Sequence, residues 1–278
     1  MMKIDEKLNL QKIATKVRMG IIEGVYNAKS GHPGGSLSSA DILTYLYFKQ
    51  MNINPEDPKA ADRDRLVLSK GHAAPVLYSV LAHKGYFSVE LLKTLRHVDS
   101  ILQGHPDMKK IPGVDMSSGS LGQGISAAVG MALSAKHFGD NYKVYAVLGD
   151  GEIEEGQVWE AAMFASHKKL NNLTVIVDNN NLQIDGSIDE VNSPYPIDEK
   201  FKAFGFEVVV INGNDLDEID AAMQKVGTFD KPYAIIANTV KGKGVSFMEN
   251  QVGWHGSAPN EEQYKAAMAE LESALAAL

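Results

Sequence analysis

The sequence predicts an α/β fold: a mainly parallel sheet with helices on both faces. Three observations carry that expectation. Five apolar runs of strand length occupy residues 65–69, 144–148, 173–177, 207–211 and 233–239, with helical stretches between the later ones. Each run is continuous rather than alternating, as in strands buried on both faces of a parallel sheet. The two most polar turns, "GDGEIEEG" and "DNNNLQIDG", each follow directly on such a run.

The elements can be justified in chain order. Leu10, Ile13, Val17, Ile21 and Val25 recur at helical spacing and predict a long first helix. A second helix is expected from Ser39 through "ADILTYLYFKQM". "RLVLS" then reads as a short buried strand. "APVLYSVLAHKGYF" and "VELLKTLRHV" read as helices, the second opened by Ser88 as a cap. "SSGSLGQG" is a glycine-rich turn entering the helical "ISAAVGMALSAKHFG". Strand 144–148, a helix over 154–170 and strand 173–177 follow. Strand "EVVVI", helix "LDEIDAAMQKV" and strand "YAIIANT" continue the alternation, and "NEEQYKAAM" opens a terminal helix. The whole, residues 1–278, is expected to form one domain.

Bulk composition narrows the function classes. The 278 residues are 44% hydrophobic and 22% charged, with net charge −8 and no basic stripe, which argues against nucleic acid. No stretch reaches the length of a membrane span, and the N-terminus mixes acids and lysines with apolar residues, unlike a signal peptide. With no cysteine, thiol chemistry and disulfides are excluded, and the expected compartment is the cytoplasm.

In open parallel sheets ligands bind beyond the carboxyl ends of the strands, which is where the polar turns fall. Asp150 follows strand 144–148 between two glycines. Asn180, in the Asn run, follows strand 173–177 one strand–helix–strand length later. An Asp, an Asn and a nearby backbone carbonyl form an oxygen-only set suited to a hard cation such as Mg²⁺. Flanking glycines let the backbone approach a phosphate, and "GSLGQG" adds amides at a helix N-terminus. The combination reads as a Mg²⁺–diphosphate site, although Asp-Gly and Asn-Asn pairs alone are ordinary turn formers. No Walker sequence or Rossmann glycine pattern is present.

Four of the eight histidines, His32, His72, His105 and His255, sit beside a glycine, in "SGHPGG", "SKGHAAP", "GHPD" and "GWHGSAP". His83, His97, His137 and His167 lie in stretches read as helices and are assigned structural roles.

"GDGEIEEG…VDNNNLQIDG" resembles the motif shared by thiamine diphosphate enzymes. Together with "SGHPGGSLSSADIL", "RDRLVLSKGHAAP", "GSLGQGISAAVGMA" and "GWHGSAP", in this order, the chain resembles the diphosphate-binding domain of transketolases over almost its whole length. The resemblance implies the thiamine diphosphate-binding fold and thiamine diphosphate with Mg²⁺, for which Ca²⁺ or Mn²⁺ can substitute. It makes Asp150, Asn180 and the Leu182 carbonyl metal ligands. It also lays Gly119, Leu121, Gly151, Glu155 and Lys241 along the cofactor, with Glu155 near the dimer interface. Transketolases often carry Pro where Ser120 stands here. The four glycine-flanked histidines are placed around the thiazolium ring and sugar phosphate substrate, where neutral imidazole can donate to a carbonyl and accept from hydroxyls.

No stretch resembles the pyrimidine-binding or C-terminal domain of a transketolase. The resemblance therefore implies a partner, a C-terminal subunit carrying the pyrimidine domain, in an α₂β₂ assembly. The Met start and helical end are read as favouring a natural subunit over an excised fragment. A 1-deoxyxylulose-5-phosphate synthase-like enzyme, a 2-oxo acid dehydrogenase-like subunit ("GQVWEA") and a non-catalytic cofactor-binding protein are the alternatives.

Overall fold

A computed structural model describes residues 2–278. Five strands, β1 (Arg65–Leu68), β2 (Val144–Gly149), β3 (Leu173–Asn179), β4 (Glu207–Asn212) and β5 (Tyr233–Asn238), form one sheet in the order β1-β2-β3-β5-β4. Every pairing is parallel, as the continuous apolar runs predict.

Among the described residues ten helices surround it: α1 (Ile4–Ala28), α2 (Pro33–Ser38), α3 (Ala40–Tyr45), α4 (Ala74–Lys84), α5 (Gln123–Phe138), α6 (Gly156–His167), α7 (Ile188–Val191), α8 (Ile197–Ala203), α9 (Leu216–Met223) and α10 (Glu261–Ala277). The strands feed two separate cores by strict alternation. Tyr145, Val147, Ile176, Tyr233 and Ile235 point into a core with α1, α3, α4, α9 and α10. Val144, Ala146, Leu148, Val175, Val177 and Ala234 point into another with α5, α6 and α8. A strand residue and its neighbour face opposite sides, so only a sheet covered twice needs every position apolar. The exception is β4, an edge strand whose Val210 is 49% exposed.

The helix ends follow local chemistry. Asn260 and Gln263 close a capping box on α10, and α4 ends at Gly85 in the left-handed region. Two expectations are corrected, and one helix was not expected: Pro33 of "SGHPGG" opens the fully buried helix α2. Proline suits a first helical position, where its missing N–H has no partner to lose. The helix expected after Ser88 is a 3₁₀ turn over Val89–Thr94, which Ser88 does cap, and His97 lies beyond it in a loop. The helix from Ser39 loosens into a π segment at Leu46–Gln50. Among the described residues, no helix is long and apolar enough to cross a membrane.

Candidate active site

Strands β2 and β3 are hydrogen-bonded in register up to Gly149 opposite Asp178, so the turns that follow them meet. The buried Asp150 carboxylate joins those turns. One of its oxygens accepts the Gly151 N–H at 2.9 Å and the other the Asn181 N–H at 2.6 Å. Burial, and then the nearby Asp178 charge, raise its pKa to about 6.

Behind it lies an ion pair that sequence reasoning missed. Lys70 and Asp178 are both fully buried and paired. The Lys70 ammonium also donates to the Gly35 carbonyl at 2.8 Å and the Ser39 hydroxyl at 2.6 Å. Burial alone would raise the Asp178 pKa, but Lys70 and the hydroxyls of Ser38 and Thr239 hold it below the usual carboxylate range. The Asn180 side-chain N–H₂ donates to Asp178 at 3.2 Å, which fixes the amide orientation. Its oxygen is left as the acceptor, taking the Leu182 N–H at 3.2 Å. Lys70 and Asp178 lie 108 residues apart in sequence, with no local pattern to betray the pairing.

Lys241 is buried too, and burial lowers its pKa to about 8. It donates to the Leu182 carbonyl at 2.6 Å and meets His255 Nδ1 at 2.9 Å. An ammonium has only hydrogens to offer, so Nδ1 must accept and the His255 proton sits on Nε2. His255, His32 and His72 form a triangle with ring centroids 5.2, 5.4 and 5.6 Å apart. Burial, reinforced by neighbouring cations, lowers their pKa values to about 4 for His32, about 2 for His72 and about 3 for His255. All three are therefore neutral at physiological pH. His105, at the open side of the cleft, is also shifted down, by partial desolvation of its ring and then by Arg96.

These groups open on one cleft of about 410 Å³. Its walls include His72, His105, His255, Gly119, Leu121, Asp150, Gly151, Asn180, Leu182 and Lys241, so most of the sequence-predicted residues converge there. His32 stands behind His72 and His255. Gly149 and Ser120 also line it, as do Lys70, Gly35, Gln183 and Ile184, which were not singled out from sequence. Glu155 is not part of the wall: it is exposed at the start of α6, its side chain against Gly122. The inward carboxylate is Glu152, which accepts from the Ser69 hydroxyl and from the amides of Gly122 and Gly149, each at 3.0 Å. The expected anion site at the start of α5 is thus partly taken by the chain's own carboxylate. A second cleft, of about 320 Å³, contains the bonded Arg18–Asp41 pair and none of these residues.

The cleft suits a metal-bound diphosphate. Gly151 has an ordinary φ of −68°, and a Cβ there would lie 3.5 Å from its nearest neighbour, the Gln183 Cβ. A Cβ on Gly35 would come no closer than 3.9 Å to any side chain. Neither backbone nor packing demands glycine at these two places, while a side chain would occupy cleft space. Among the described residues no three His, Cys, Asp or Glu side chains are grouped to hold a metal. The donors available at the strand ends are a carboxylate, an amide oxygen and a carbonyl, a hard-cation set.

Fold and site together define a thiamine diphosphate-binding α/β domain. The chain belongs to the transketolase family: residues 9–273 match the family described as "Transketolase, thiamine diphosphate binding domain". It is 46% identical over 269 residues to the 6-deoxy-6-sulfo-D-fructose transketolase subunit SqwG of Clostridium sp. (strain MSTE9), covering 96% of this chain and 98% of that protein. It is 44% identical over 267 residues to one subunit of the apulose-4-phosphate transketolase of Phocaeicola vulgatus, covering 96% and 94%. Transketolase from Campylobacter jejuni superimposes with a TM-score of 0.90 at 37% identity, over 98% of this chain but 43% of that one. The chain therefore spans nearly all of the subunit relatives and less than half of the longer enzyme.

Proposed function

We propose that this chain is the N-terminal subunit of a two-chain, cytoplasmic transketolase that moves a two-carbon ketol unit between sugar phosphates. The observation that carries the reading is the convergence of neutral imidazoles and the Asp150–Asn180–Leu182 oxygens on one cleft. Asp150, Asn180 and the Leu182 carbonyl would hold Mg²⁺, with Gly151 against the diphosphate and Gly119 and Leu121 along the cofactor. When bound, thiamine diphosphate supplies a nucleophilic carbon and an electron sink for cleaving the bond beside a ketose carbonyl.

The protein's own residues bind and move protons around that chemistry. His255, with its proton on Nε2, donates a hydrogen bond. Neutral His32, His72 and His105 accept protons from sugar hydroxyls or donate to the carbonyl oxygen. The Lys70–Asp178 pair holds the Asn180 amide in its ligating orientation. Leu121 and Ile184, 39% and 62% exposed at the cleft, provide an apolar rim for a covering chain. That partner would bring the pyrimidine domain in an α₂β₂ assembly.

A ketol-transfer assay on this chain, on a candidate C-terminal partner and on their mixture tests the reading. The two subunit relatives differ in their named ketoses, so the donors should span sulfonated and phosphorylated ketoses. Turnover is expected only from the mixture, with thiamine diphosphate and Mg²⁺. Turnover by this chain alone, or none from the mixture with any donor, would contradict it.

A further inference from the structure

The Gly-His-Pro pair, at Gly31–Pro33 and Gly104–Pro106, has a partner that the site does not yet account for. Arg96 lies outside the cleft wall, in the loop between the 3₁₀ turn and the second of these segments. That loop is anchored. Arg96 N–H donates to the Leu102 carbonyl at 2.7 Å, and the Gln103 side chain donates to the carbonyls of Ser100 at 2.7 Å and His97 at 3.1 Å. Tyr78 holds the Gln103 carbonyl at 2.8 Å, while Leu95 and Leu102 are buried in the core. Arg96 therefore projects from a fixed base.

Its backbone has φ 60°, in the left-handed region that residues with a Cβ rarely occupy. The surrounding bonds hold it there, and the side chain is aimed accordingly. Its guanidinium donates to the Ser30 hydroxyl at 2.8 Å, directly ahead of Gly31 and His32. On its other side it lies against Gly104. A Cβ added to Gly104 would stand 3.2 Å from Arg96 Cζ, Nε and Nη2 alike, closer than ordinary contact. Gly104 is not among the positive-φ glycines, so the backbone gives no reason for glycine there. The reason is space for a flat guanidinium.

We propose that Arg96 is a positioning residue that clasps the two Gly-His-Pro loops together, setting His32 and His105 relative to each other across the substrate. The inference rests on the proposed function only in giving those histidines a substrate. A planar fork fits the role better than a lysine, because one group must bond Ser30 while its plane packs on Gly104. The charge acts as well. Arg96 faces both imidazoles and disfavours their protonation. His32 also faces His105, Lys241, His72 and His255, whereas the charge that disfavours His105 protonation is that of Arg96.

The test is a double-mutant cycle on Arg96→Met and Gly104→Ala, in the enzyme assembled with its partner. Each single change should lower turnover by about 10²-fold, the usual cost of a displacement near 1 Å in a catalytic group. The pair should cost no more than Arg96→Met alone, since the added methyl then has nothing to push against. Multiplying losses would overturn the clasp. The isolated chain gives an independent readout in which imidazole protons are titrated by NMR. The His105 midpoint should rise in Arg96→Met, stay near wild type in Arg96→Lys, and the His255 midpoint should not move in either. An unmoved His105 in Arg96→Met overturns the proposal. If Arg96→Met does not fold, the melting shift caused by Gly104→Ala decides, measured once with Arg96 intact and once in the Arg96→Lys background. Loss of the shift in the Arg96→Lys background supports the clasp, and an equal shift overturns it. A wild-type mixture without ketol transfer would sink the proposed function, while the isolated-chain measurements still judge Arg96.

Discussion

At the N-terminal ends of β1 and β2, Asp64 commits both carboxylate oxygens to backbone N–H groups, of Lys143 at 2.7 Å and Asn52 at 2.9 Å. Asp115 does likewise for Leu66 at 2.8 Å and pairs with Arg63. At the C-terminal ends of β2 and β3 the charges are as deeply buried but differently used. Asp150 also accepts two backbone N–H groups, but here two carboxylates lie close enough for one to raise the other's pKa, and Lys241 rests on a carbonyl and an imidazole. Buried charge at the first edge pins the chain. At the second it is held in readiness, an arrangement that natural sites keep at some cost to stability. Changes at the two edges should therefore separate: stability lost without binding at one, function lost with the fold intact at the other.

The largest separation is expected at the histidines. Replacing His32, His72, His105 or His255 by Ala should lower turnover of the assembled enzyme by about 10²–10⁴-fold, the range for a positioned acid–base group. Cofactor affinity should change much less. His167, exposed at the end of α6, should be nearly silent when changed to Ala. Steady-state kinetics with both substrates decides, and equal losses at His105 and His167 would erase the distinction.

A smaller and opposite effect is expected from Asp64→Ala. It strands two part-buried backbone donors, each costing at most about 1–3 kcal/mol, the range for a fully buried group. In a domain of this size the melting temperature should fall roughly 2–4 °C per kcal/mol. Binding of thiamine diphosphate with Mg²⁺, followed by calorimetry, should be unchanged. Lost binding at an unaltered melting temperature would break the comparison.

The sequence was most legible where the physics is local. All five strands were visible as apolar runs, and for β1, β2, β3 and β5 the reason is that a doubly covered sheet needs apolar residues on both faces. Helix α1 was visible because its buried residues repeat at helical spacing. The turns bearing Asp150 and Asn180 were visible because polar groups at strand ends stand out against such runs. What stayed hidden depends on contacts distant in sequence. Lys70 and Asp178 look like surface charges until β1 and β3 are placed on either side of β2. Glu152 was not singled out because its inward position depends on one 3₁₀ turn, Glu152–Glu154, which leaves Glu155 exposed. Helix α2 was masked by two glycines, of which Gly34 allows a close approach: a Cβ there would meet the Trp254 carbonyl at 2.9 Å. The insertion of β5 between β3 and β4 is a matter of crossover, to which an apolar run is indifferent.

The central claim is that the C-terminal edge of β2 and β3 is built for a metal-bound diphosphate and not for the fold. The most direct test compares wild type with Asp150→Ala in thermal unfolding, with the partner chain present and thiamine diphosphate saturating, as Mg²⁺ is titrated. Wild type should gain stability as the metal is added. The variant should remain folded and show no metal-dependent gain. A variant that is stabilised over the same Mg²⁺ range as wild type would contradict the account.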